Sequence, residues 1–234
     1  MRQLIWKEWH EQSWKLAFGC IVLGAFALIG LRTRIIPDEE MVMWVCFPAM
    51  CLLPLLAATG LVPAERNDGT LESLAALPVT WRQILAVKTL TGLILSAVPM
   101  LTAMAVSLLV AGGREITAFT MFNIYVQSLL TAIALFAWIF AATVRLPTEA
   151  RAAMVGIGVS LCWIMLSAGM FENDLALLST ISPFSFVFYA EYHAAPRTQQ
   201  VPPFAINVLV EAAIATALWL WAGRAIGKDV NAVG

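Results

Sequence analysis

Six apolar runs, each close to the length a helix needs to cross a bilayer, constrain this chain more than any other feature. They lie near Leu16–Ile36, Met41–Val62, Thr89–Ala111, Ala118–Val144, Ala152–Phe171 and Phe204–Gly223. A helix needs about 20 apolar residues to cover about 30 Å of hydrocarbon. A water-soluble domain has too little interior to hide six such runs. The composition agrees, with 61% of the 234 residues apolar and 12% charged, against roughly half and a quarter in soluble domains. The expected fold class is all-α, a polytopic membrane protein with six transmembrane helices in one domain over residues 1–234. A net charge of −1 gives no electrostatic footprint for nucleic acid. Cys20, Cys46, Cys51 and Cys162 all sit inside apolar runs without C-x-x-C spacing, which reads as packing rather than disulfide or metal chemistry.

Basic residues choose the orientation. Arg2, Lys7, Lys15, Arg66, Arg82, Lys88, Arg145, Arg151, Arg224 and Lys228 fall on one face, ten in all, against Arg32, Arg34, Arg114 and Arg197, four, on the other. The face richer in Lys and Arg is cytoplasmic. Both termini are therefore expected in the cytoplasm of a multi-pass protein of the cell (plasma or inner) membrane. Residues 1–15 read as a separate interfacial helix, with Ile5, Trp6, Trp9 and Leu16 on one face and Trp6, Trp9 and Trp14 suited to the headgroup layer. Lys7–Glu11 and Glu11–Lys15 are i,i+4 pairs. The outer segment 172–203 is too polar to span and too apolar for a plain loop. Short helices dipping into the outer leaflet or capping the bundle fit it.

The cytoplasmic connector over 63–88 is the most informative loop. In "ERNDGTLESLAALPVTWRQILAVK", Thr70 can cap a short helix with Glu72 in its first turn, and Leu71, Leu74 and Ala75 then share one face. Pro78 ends that helix, and Thr80–Gln83 has capping-box spacing for the next. Gly69 suits a positive φ where the chain leaves the second span. An apolar stripe on a loop helix invites a partner.

The pattern Glu65, Gly69, Thr70, Leu71, Glu72, Leu74, Pro78, with Lys88 opening a span, resembles the first cytoplasmic loop of type-2, exporter-type ABC transporter permeases. The layout of an interfacial helix, six spans and a long outer segment after the fifth is similar too. Two positions depart from the family's pattern: Ala75 stands where a second Leu is common, and Asp68 where a basic residue is frequent. The resemblance implies that Glu65, Gly69, Thr70, Leu71, Glu72, Leu74 and Pro78 form a coupling helix. That helix would dock on a separate cytoplasmic ABC ATPase subunit, and the chain would pair with a second permease copy or a homologue. A plain capped turn is the competing reading of the loop.

No cofactor is expected in this chain, with ATP bound by the partner. "GRAIGKDV" is one residue short of a phosphate loop, has Asp229 in place of the hydroxyl residue, and lies at a span end. His10 and His193 fall outside the spans, so no catalytic residues are assigned and the chain reads as a transport subunit rather than an enzyme. Polar residues repeat inside two spans, Asn123, Gln127 and Thr131 in the fourth and Asn207 and Glu211 in the sixth. They are either interhelical hydrogen-bonding groups or a polar patch in the substrate path, with Glu211 expected to be buried near the fourth span, close to Asn123 or Gln127, or to face a wet cavity. Ala152, Gly156 and Ser160 allow close helix approach, within one subunit or at a dimer seam. Pro48, Pro54 and Pro99 interrupt the spans that flank the connector.

The reading is a permease subunit of an ATP-driven ABC exporter. Its rivals are a permease of a cytochrome-assembly or cofactor-export system, and a non-transporting scaffold or sensor that docks a cytoplasmic partner. The orientation is tested by single-cysteine labelling of intact cells. Reagent applied outside should reach positions near Arg114 and Thr198 and not Asn67; labelling at Asn67 would overturn the topology.

Overall fold

One helix, α1, runs without a break from Arg2 to Thr33. No Pro interrupts "KEWHEQSWKLAFG", and an inward stripe of Leu4, Glu8, Gln12, Gly24, Ala27 and Leu31 continues along the whole length. The turn expected between an interfacial helix over 1–15 and the first span is therefore absent. At 32 residues the helix is about 48 Å long, so several of its turns extend past the hydrocarbon.

The computed structural model describes residues 2–33, 35–69, 80–111, 118–173, 175–187 and 203–233. Within them the order is α1, α2 (Asp38–Thr59), α3 (Val62–Asn67), α4 (Trp81–Ala111), α5 (Ala118–Thr143), α6 (Glu149–Glu172), α7 (Ala176–Ser179), a 3-10 turn (Pro183–Ser185) and α8 (Phe204–Val233). No strand occurs among the described residues. Six helices are long and apolar enough to cross a membrane: α1, α2 with α3, α4, α5, α6 and α8.

α2 and α5 form the centre, each buried along much of its length. Their shared core joins Met50, Leu55, Leu61, Leu85, Leu95, Leu135, Phe136, Ile139 and Phe140. A second cluster, Val42, Val45, Ala103, Met121 and Tyr125, fills the opposite end. There the Ser107 and Tyr125 hydroxyls are 2.8 Å apart and satisfy each other. The outward faces carry Trp6, Trp9, Trp14, Phe18, Ile21 and Trp44, as lipid-facing surfaces should.

Small residues set the helix spacing. α1 makes its broadest contact with α4, and a Cβ on Gly19 would stand 3.1 Å from the Pro99 ring. Gly92 on α4 lies under Phe136 and Leu61. Of the small-residue row on α6, Ala152 and Ser160 are buried and Gly156 faces Leu55 and Ile139 of the same chain. The row therefore packs within the subunit. Pro48 and Pro54 lie inside α2 and Pro99 inside α4. Each removes one backbone donor from its helix. Past α6, the 3-10 turn packs on α5 and α6 with Phe184 buried, and the Ser167 and Ser182 hydroxyls are hydrogen-bonded.

Candidate functional site

Three buried charged side chains, Lys88, Glu8 and Glu65, gather where the connector leaves the second span. α2 ends at Thr59, whose hydroxyl bonds back to Leu55 O at 3.0 Å. The carbonyls just beyond, of Gly60 and Leu61, are the groups a helix end leaves unsatisfied. Two other helices supply their donors. Gln12 of α1 donates to Gly60 O at 3.3 Å, and Lys88 of α4 donates to Leu61 O at 3.1 Å. A cation at this position also complements the negative end of the α2 dipole.

Lys88 has no exposed surface. Its ammonium lies 2.7 Å from Glu8 Oε1 and 2.7 Å from Glu65 Oε2. The other Glu65 oxygen takes Lys7 Nζ at 2.7 Å, and Lys7 also approaches Glu11 at 3.7 Å. Glu8 and Glu65 are themselves almost wholly buried. Glu8 and Glu65 are thus balanced by the buried Lys88 and the partly exposed Lys7, and Leu4, Ile84 and Val87 pack together beside them. Isolated buried charges are costly, whereas a closed set with hydrogen bonds is tolerated. The set ties α1, α3 and α4 at one point.

A second link runs the other way from α3. Arg66 donates to Arg145 O at 3.1 Å, in the loop after α5, and the Arg145 guanidinium lies 4.9 Å from the Trp221 ring of α8. The start of the connector is therefore held by α1, α4, the α5–α6 loop and α8.

The connector's own signals are partly visible. Gly69 has φ +69°, as its position suggested, and ends α3 with its N–H on Arg66 O at 3.3 Å. At the far side, Thr80 and Gln83 form the reciprocal capping box, with Gln83 N to Thr80 Oγ1 at 3.4 Å and Thr80 N to Gln83 Oε1 at 3.0 Å. Thr70, Leu71, Glu72, Leu74, Ala75 and Pro78 lie outside the described residues. Of the expected coupling residues, Glu65 is buried in the charge cluster and Gly69 makes the turn.

The intramembrane polar residues do not form one patch. Asn123 is exposed, Gln127 half-buried and Thr131 buried on α5, while Asn207 and Glu211 are buried on α8. Among the described residues no hydrogen bond joins the two sets. The α5 face that meets α8 carries Ile133, Phe136, Ala137 and Phe140, whereas helical spacing puts Asn123, Gln127 and Thr131 on another face. Glu211 is buried, and no hydrogen bond joins it to Asn123 or Gln127 among the described residues.

Reading residues 1–15 as a surface helix missed Glu8 and Gln12. The available signal was Leu4, Glu8 and Gln12 at i, i+4, i+8 opposite Trp6, Trp9 and Trp14. In a membrane protein polar groups turn inward and aromatic ones outward.

Six helices long and apolar enough to span a membrane, with buried charges at the root of the connector after the second, make this a polytopic membrane subunit. A sequence model of the family described as ABC-2 family transporter protein matches residues 5–167, more than half of the chain. The chain belongs to that family and is a permease subunit of an ABC transporter, a multi-pass membrane protein of a class that works with an ABC ATPase. No curated protein matches the chain.

The clasp is tested on Lys88. Lys88→Met leaves Glu8 and Glu65 without their shared cation and should lower stability on the order of 3–5 kcal/mol. Lys7→Met, at a partly exposed position, should cost under about 1 kcal/mol. Thermal unfolding of the two variants in lipid nanodiscs reads the difference, and equal small losses would contradict a buried, interdependent cluster.

Proposed function

We propose that this chain is the membrane-spanning subunit of an ABC exporter in which a separate cytoplasmic ATPase docks on the connector after the second span. The observation that carries the reading is the buried Lys88–Glu8–Glu65 cluster, which fastens the root of that connector to α1 and α4. A loop that only joined two spans would need no such anchorage. In this reading the termini and the connector face the cytoplasm, in keeping with the Lys and Arg count. A second permease copy or a homologue completes the path, because one six-helix unit offers too little surface to enclose it.

The mechanism follows from the fastening. ATP-driven closure of the ATPases displaces the connector at Leu71, Leu74 and Ala75. Glu65 passes the displacement to Lys88 and Glu8, so α4 and α1 move with the connector. Arg66 and Arg145 pass it to α8. The prolines at 48, 54 and 99 offer points at which α2 and α4 bend. ATP chemistry belongs to the partner, and this chain supplies the moving wall.

Burial of Leu74 against a partner is worth about 1.5–3 kcal/mol. Leu74→Asp loses that and buries a charge, while leaving the spans untouched. Gly69→Val forces a β-branched residue to φ +69°. Both variants should insert normally yet lose ATPase co-purification or permease-dependent ATP hydrolysis. A Leu74→Asp protein that keeps its partner and full coupled activity would reduce the loop to a plain turn.

A further inference from the structure

Phe204, Asn207, Glu211, Ala215 and Trp219 recur at i, i+3, i+7, i+11 and i+15 along α8, so they form one stripe. The two ends of the stripe are fixed by contacts. At the outer end the Phe204 and Phe186 rings meet at 5.7 Å, below the 3-10 turn. At the inner end Trp219 Nε1 donates to Thr89 Oγ1 of α4 at 3.1 Å. Beside that bond, α4, α5 and α8 leave a cleft of about 240 Å³, walled by Leu93, Phe136, Phe140, Ala215 and Trp219. Glu211 stands one helical turn outward of Ala215, just beyond the residues that line the cleft.

Several polar groups toward the outer end of the stripe lack partners among the described residues. Glu211 is 4% exposed and Asn207 3% exposed. Neither carboxyl oxygen of Glu211 nor Oδ1 of Asn207 has a hydrogen-bond partner among the described residues, and the same holds for the buried Ser185 hydroxyl next to Phe186. All are oxygens able to accept. A membrane-buried carboxylate without a counter-charge is expensive, and an unsatisfied buried acceptor adds its own cost. A single positive charge bearing N–H groups would neutralise the carboxylate and serve the amide oxygen together. The cleft beside it is apolar, and its rings suit the flank of a cation.

The geometry points to a binding site for a protonated amine carrying an apolar body, with the ammonium at Glu211 and Asn207 and the body in the cleft between α4, α5 and α8. This names a ligand class for the path and so rests on the permease reading, but binding to the permease can be measured without ATP or the ATPase. A failed binding test therefore leaves the transporter assignment standing, and a failed coupling test leaves the site standing.

The experiment is calorimetric titration of the full chain in lipid nanodiscs with hexylammonium, hexanol and sodium ion, with empty nanodiscs as the reference. Hexylammonium should bind to a saturable site, with affinity at least tenfold above hexanol. Glu211→Gln, a neutral isostere that keeps the helix packing, should lose at least tenfold for hexylammonium and nothing for hexanol, and Asn207→Ala should lose less. Hexanol binding as well as hexylammonium, or unchanged affinity in Glu211→Gln, would overturn the proposal. Saturable sodium binding that depends on Glu211, without preference for hexylammonium, would overturn the organic part by assigning the site to a bare metal cation.

Discussion

A lysine with no solvent exposure, held between two buried glutamates, is the constraint on which the connector end of this protein depends. Lys88 is held there by ion pairs to Glu8 and Glu65, and the three residues belong to three different helices. α1, α3 and α4 are therefore bound to one another by the cost of separating charges, not by apolar contact alone. Apolar contact could not select this arrangement in a bilayer, because lipid tails satisfy a leucine as well as another helix does. Gln12 and Lys88 also close the carbonyls left open where α2 ends. The same atoms thus terminate one span, orient the start of another and hold the connector.

Away from the clasp, small residues and prolines shape the bundle. α1 rides on α4 through Gly19 against Pro99, a close approach that larger side chains would prevent. α2 and α4, which flank the connector, carry the three intrahelical prolines. A firm joint at one end and helices weakened along their length form a lever, and in the proposed function that lever converts closure of the ATPases into movement of the spans. α8 joins it from the other side through Arg145 and Trp221. Glu211 lies on the same helix, so movement of α8 would carry the proposed amine site with it.

The six spans were legible because a 20-residue apolar run has one physical reading, and the capping box at Thr80 and the turn at Gly69 were legible because each depends on local backbone chemistry. The clasp was not, for a different reason. Glu8 and Gln12 look like the wet face of a surface helix when the rule of soluble proteins is applied, and only the surroundings of α1 invert it. The missing break after Lys15 has the same origin, since the inward stripe continues where the change in polarity suggested an end. Glu211 was recognisable as a buried acid, but its neighbours depend on how α8 is rotated against α5, and spacing within one helix carries no information about rotation against another.

The central claim is that the buried charges transmit movement from the connector to the spans. Its most direct measurement is the ATP-dependent change in distance between spin labels at Leu109 of α4 and Met165 of α6, both exposed, in the assembled transporter. The comparison is the parent against the charge-balanced variant Glu8→Gln with Lys88→Gln, which keeps the Lys7–Glu65 pair. The account expects ATP to shift the distance in the parent, and expects the variant to retain its ATPase while losing the shift. An unchanged shift in the variant would contradict the account.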